Sequence, residues 1–227
     1  MHISENIASI KIKIQETALA CGRDPGTITL IGVSKRKSAD TVLSGIKGGI
    51  THLGENYIQE AVDKINTLGK NQACWHFIGH LQSNKARFAV QYFDYIHTVD
   101  TAKLAREIDK QAAKIGKVQK ILLQINIAKE ETKFGASARE SIVLARELNC
   151  FENLSLEGLM CMPPYFDDPE NARIYFKRLG LIKEEIGAAG IKTLTHLSMG
   201  MSNDFRVAIE EGATMVRVGT AIFGSRD

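Results

Sequence analysis

The sequence predicts an α/β protein folded as a single (β/α)₈ barrel with an extra N-terminal helix, and three observations lead there. Short apolar runs and amphipathic helical stretches alternate about eight times along 227 residues, joined by short connections. The first of these runs, Ile28 to Lys37 (ITLIGVSKRK), is apolar on both sides of its alternation, as in a parallel strand covered on two faces. No G-x-G-x-x-G follows it, which removes the main mark of a dinucleotide fold. A doubly wound open sheet is the competing architecture, and the number of repeats favours closure. Residues 1–227 are read as one domain, with 1–22 forming a helix packed on the barrel.

Each element has its own justification. In residues 3–21, Ile7, Ile10, Ile14 and Ala18 fall on one helical stripe, and Cys21-Gly22 ends it. Asp24-Pro25-Gly26 then turns the chain into the first strand. A helix over Ala39 to Gly48 and the strand GITHLGEN, ending at Glu55-Asn56, come next. The helix Tyr57 to Leu68, the strand Trp75 to Gly79 and a helix from Ser83 to Val90 follow. Tyr95 to Asp100 is a strand, and a helix runs from there through Ile115. KILLQIN, ending at Asn126, leads to the helix Ser137 to Leu148. Leu154 to Met162 is a strand and Pro169 to Ile186 a helix. TLTHLSMG, the helix Asn203 to Glu211 and the strand Thr214 to Gly219 complete the series.

Composition excludes several classes. At 44% hydrophobic and a net charge of +3, the chain lacks the basic stripe of a nucleic-acid binder, and Asn84-Lys85-Ala86-Arg87 reads as a solvated helix face. No run approaches the roughly 20 apolar residues of a membrane span, and the N-terminus has no signal-peptide core. Cys21, Cys74, Cys150 and Cys161 show no C-x-x-C spacing and read as reduced thiols of a cytoplasmic protein. His52, His76, His80 and His196 lack metal-ligand spacing, so no metal is expected; His2 and His97 read as structural.

In a barrel of this kind, function gathers at the C-terminal strand ends. Lys35 sits there on the first strand, on the side of Ile31 and Val33. Half-desolvated, such a lysine has a lowered pKa and a neutral amine able to attack a carbonyl. A snorkelling strand-end lysine is the plainer alternative. Polar residues also end other strands: Asn56, His80 with Gln82, Asp100 and Asn126. HLSMGMS places Ser198 and Gly200 after the seventh strand, and VRVGTAIFG places Gly219 and Thr220 after the eighth. Those two loops are the usual phosphate site of such barrels, although tight turns alone would also use the glycines. Arg217 interrupts an apolar strand opposite Val216 and Val218, so it points inward and needs either an internal carboxylate or a ligand.

A strand-one lysine, a phosphate cup and an inward arginine together describe a pyridoxal phosphate site. With GVSK, HLGENYIQE, WHFIGHLQSNK, TKFG, GLM, HLSMGMSNDF and VRVGTAIFG, the sequence resembles the pyridoxal phosphate homeostasis family over almost its whole length. That family is related to the N-terminal barrel of alanine racemase. The resemblance implies that Lys35 carries the cofactor and that Ser198, Gly219 and Thr220 contact its phosphate, with the Gly200 loop beside them. It puts Arg217 against the pyridine nitrogen and Asn56 in the pocket. Arg36-Lys37-Ser38 stands where the family usually has threonine and proline, a departure that bears on the flexibility and charge of that loop.

The implied role is to bind pyridoxal phosphate and keep vitamin B6 and amino-acid pools in balance, without an established reaction and with apo-enzymes as candidate recipients. A racemase-like enzyme is the alternative, and a Schiff-base aldolase for sugar phosphates is a third. Alanine racemase relatives take their second acid/base from an additional domain of the partner subunit. With the chain ending at Asp227, the expectation is a site open on its far face and no useful amino-acid turnover.

Overall fold

The computed structural model describes residues 2–128 and 134–224; Thr132 and Lys133 of the TKFG motif, and Asp227, lie outside them. Its strands are β1 (Thr29–Val33), β2 (His52–Glu55), β3 (Cys74–Phe77), β4 (Tyr95–Val99), β5 (Gln119–Gln124), β6 (Leu154–Met160), β7 (His196–Ser198) and β8 (Met215–Val218). They are parallel and close into a barrel in sequence order. Closure is visible on β1, where Ile31 aligns with His52 of β2 on one side and Arg217 of β8 on the other. The helices are α1 (Ile3–Ala20), α2 (Ala39–Lys47), α3 (Ile58–Leu68), α4 (Ala86–Tyr92), α5 (Ala102–Lys114), α6 (Ser141–Asn149), α7 (Arg173–Ala188), α8 (Phe205–Glu210) and α9 (Thr220–Phe223). No described helix is long and apolar enough to cross a membrane.

α1 buries the predicted stripe of Ile7, Ile10, Ile14 and Ala18, and it packs on α2, α8 and α9. Asn6 Nδ2 donates to Ile222 O at 2.9 Å, which ties α1 to the segment that follows β8. The helix expected from Ser137 begins at Ser141. Glu140 N donates to Ser137 Oγ at 3.2 Å, and the Ser137 hydroxyl donates back to Glu140 at 2.6 Å, so the polar residues form a turn ahead of the helix. Asp204 accepts from Met201 N at 2.6 Å in the same way, delaying α8 to Phe205. α9 is the element that the sequence pattern does not announce, because four residues are too few to show a helical period.

Two layers of side chains fill the structure. Between sheet and helices lies a broad apolar layer that includes Leu53, Trp75, Phe77, Phe176, Val216 and Val218. Inside the barrel Ile31, Tyr95, Leu122, Met160 and Met215 form a small cluster. The buried polar side chains include His76, His97, Ser198 and Arg217. Burial holds His76 and His97 well below the ordinary imidazole range, so both are neutral.

That neutrality has a pH signature. Below about pH 6.5 the unfolded chain takes up protons on these histidines and the folded chain does not. Their contribution is therefore fully present above that pH and lost as pH falls, by up to about 1.4 kcal/mol per group per pH unit. Glu55, Asp100 and Asp204, whose carboxyls burial raises, act in the opposite direction and nearer the carboxylate range. Denaturant unfolding should show the midpoint dropping between about pH 7 and pH 5.5.

Candidate functional site

The C-terminal ends of the strands open into a cavity of about 570 Å³. Lys35 and Asn56 line it from the β1 and β2 side, and Arg217, Gly219 and Thr220 from β8 and its loop. Met162, Tyr165 and Phe166 after β6, and Ser202 after β7, form another part of the wall. His80, Gln82, Asp100 and Asn126, which also end strands, are not among the lining residues. Asn56 Oδ1 is buried without a hydrogen-bond partner, an acceptor that a polar ligand would satisfy. Behind Asn56 only glycine fits at position 79, because a Cβ there would lie 2.0 Å from Asn56 O.

Lys35 is held in place by a network that the sequence pattern did not reveal. Lys64 of α3 is only 5% exposed. Its ammonium donates to Ser34 O at 2.6 Å, Glu55 Oε1 at 2.8 Å and Glu60 Oε1 at 2.5 Å. Ser34 Oγ adds a 2.6 Å bond to Glu55, and Arg36 N donates to Glu60. The residues on both sides of Lys35 are thus tied to one buried cation. Arg36 takes up the tight turn in the left-handed region at φ 61, and its guanidinium sits 5.7 Å from the Tyr57 ring centroid. Glu55 is raised first by burial, which Lys64 partly offsets. The available signal was the Glu60–Lys64 spacing, which puts both on one helix face beside buried Ala61 and Ile65.

Arg217 points inward as its strand alternation requires and is 3% exposed. Its Nη1 donates to Ser198 Oγ at 2.6 Å and its Nη2 to Cys161 O at 2.9 Å. Among the described residues no carboxylate forms an ion pair with it. Burial pushes its pKa down, and Cys161 and Asp204 pull the other way.

Ser198 does not line the cavity. It is fully buried, and its hydroxyl meets Arg217 and His97. The hydroxyl facing the β8 loop belongs to Ser202, 3.3 Å from Gly219 N, 3.1 Å from Thr220 Oγ1 and 3.5 Å from Ala221 N. Of the residues expected to form the cup, Gly219 and Thr220 line the cavity together with Ser202, and Ser198 does not. The difference arises because β7 ends at Ser198, on its inward side, and the chain then turns at Gly200, φ 87, before reaching Ser202. Gly200 is buried beside the cup at φ 87, and its carbonyl accepts from Arg217 N at 3.0 Å. A Cβ there would meet Ala208 Cβ at 2.5 Å.

The histidines also differ from expectation. Spacing keeps His52 and His76 apart in sequence, yet pairing of β2 with β3 brings one donor atom each of His52, Cys74 and His76 within 4.8 Å of one another. This cluster lies at the N-terminal end of the strands, away from Lys35.

The fold and this site define a barrel of the alanine racemase N-terminal domain type, and that family model matches residues 29–227. The pyridoxal phosphate homeostasis protein of Vibrio alginolyticus is 39% identical over 229 residues, covering 99% of this chain and 98% of that protein. That of Escherichia coli (strain K12) is 41% identical over 233 residues, covering 99% and 97%. PipY of Synechococcus elongatus PCC7942, solved with PLP bound, superposes with a TM-score of 0.85 at 34% identity, over 98% of this chain and 100% of that one. The chain belongs to the pyridoxal phosphate homeostasis protein family.

The Lys64 network makes a prediction of its own. Removing one partner of a buried ion pair costs about 3–5 kcal/mol, because the other charge is left uncompensated. Lys64→Met should lose roughly that much in denaturant unfolding. It should also speed hydrogen exchange at the Arg36 amide, whose acceptor Glu60 is freed.

Proposed function

We propose that this chain binds pyridoxal phosphate at the barrel mouth through the Lys35 amine and serves vitamin B6 homeostasis rather than amino-acid turnover. The observation that carries this reading is Arg217, a buried guanidinium without a carboxylate partner among the described residues, lining the same cavity as Lys35. Bound there, pyridoxal phosphate supplies an aldehyde that reacts with amines and a ring that can take up electrons from a carbanion. PipY, a 34% identical neighbour with PLP bound, supports the assignment.

The residues fit such a group. Ser202, Gly219 and Thr220 form the phosphate cup in this reading. The contacts of Gly219 N and Ala221 N with Ser202 Oγ, at 3.3 and 3.5 Å, are long for N–H···O bonds and leave those amides able to serve an anion. Asn56 offers its unpartnered Oδ1. Arg217 is always protonated and can only donate, so a ring nitrogen facing it stays unprotonated. The ring is then a weaker electron sink, which disfavours aminotransferase chemistry and suits holding the cofactor and handing it on. Apo forms of pyridoxal phosphate-dependent enzymes are the recipients in this reading.

Two measurements test the proposal. Borohydride reduction of the protein with pyridoxal phosphate should fix the label on the peptide containing Lys35, with Lys35→Ala unlabelled. Label on Lys37 instead would sink the assignment. Incubation with single-enantiomer alanine in deuterated water should give α-proton exchange no faster than free cofactor. Faster exchange that disappears in Lys35→Ala would favour the racemase-like enzyme.

A further inference from the structure

A continuous line of hydrogen bonds runs from Arg217 through the inside of the barrel to its N-terminal end. Arg217 Nη1 donates to Ser198 Oγ at 2.6 Å, and Ser198 Oγ lies 3.0 Å from His97 Nδ1. His97 Nε2 is 2.9 Å from His76 Nδ1, and His76 Nε2 is 2.9 Å from His52 Nδ1. Both ring-to-ring links join the Nε2 of one ring to the Nδ1 of the next. The line crosses from β8 through β7, β4 and β3 to the first residue of β2.

The chemistry of the end group fixes the direction of the whole line. A guanidinium has no acceptor, so Ser198 Oγ must accept from it. A serine hydroxyl has one proton, and His97 Nδ1 is the other partner that this buried oxygen meets. Neutral His97 thus accepts the Ser198 hydrogen bond at Nδ1 and carries its single ring proton on Nε2. The same step repeats at His76 and then at His52, whose Nε2–H ends the line. Reversal would make Ser198 Oγ accept twice and strand its proton in a fully buried position, which is disfavoured by about tenfold or more. Tyr95 stacks on His76, the middle ring, with centroids 4.8 Å apart and an interplanar angle of 8°.

We propose that Ser198, His97, His76 and His52 are positioning residues for Arg217. They form a one-way chain of donors that keeps Ser198 as its acceptor. Of the five guanidinium N–H groups, one is held by Ser198 and one by Cys161 O, which leaves the others for the cavity that Arg217 lines. What those remaining groups meet rests on the pyridoxal phosphate reading; the order of the chain does not.

Two experiments separate these parts. Long-range ¹H–¹⁵N correlation spectra of the histidine rings, recorded on cofactor-free protein, should show His52, His76 and His97 each protonated at Nε2 and bare at Nδ1. A proton on Nδ1 of His76 or His97 would overturn the ordered chain. In Ser198→Ala the end constraint is removed, and His97 should become a mixture of tautomers. With pyridoxal phosphate added, Ser198→Ala should shift the visible absorption band and weaken binding by about tenfold. An unchanged band with affinity within about twofold of the parent would overturn the positioning role. If the parent protein itself shows no visible band, the cofactor reading fails while the tautomer result stands alone.

Discussion

A permanent positive charge sits inside this barrel, and much of the architecture answers to it. Arg217 is 3% exposed on the inner side of β8, a place where an unsolvated guanidinium is costly. A carboxylate would be the ordinary remedy. The protein instead uses a serine hydroxyl and the Cys161 carbonyl, two neutral acceptors that stabilise the cation without cancelling it. A ligand at the mouth therefore meets a group whose charge is largely unspent. The neutral state of His76 and His97 belongs to the same economy, since further cations beside Arg217 would raise the cost of burial.

At the other side of the cavity the charge problem is solved differently. Lys64 is buried among Glu55, Glu60 and a backbone carbonyl, a closed set that leaves little for a ligand. Its product is geometric, because it locks the end of β1 to α3 and so fixes the backbone from which Lys35 projects. One cation is paired and structural, and the other is kept available.

The strand-by-strand architecture was legible because alternation between apolar strands and amphipathic helices is a local property. Lys35 and Arg217 were legible for the same reason, each being a charge at a defined position in an apolar strand. Ser198 and Ser202 show where such reading stops. Both are small hydroxyl residues in one glycine-containing segment, and it is the end of β7 at Ser198 and the turn after it that leave one facing inward and the other facing the cavity. Lys64 and the histidines were opaque for a related reason. Only Glu60, four residues away, is a helical neighbour of Lys64; its other partners lie 9 and 30 residues away, and those of His97 lie 21 and 101 away, so no spacing rule connects these.

The clamp around Lys35 also bears on how anything attached there would leave. Ser34 and Arg36 are both anchored to α3 and its flanking carboxylates, so the peptide on either side of Lys35 cannot swing outward as a flap. The freedom that remains belongs to the torsions of the lysine side chain. A carbonyl compound bound covalently to this amine would leave only when water or a second amine attacks its C=N bond, and that attack would have to take place within a fixed rim.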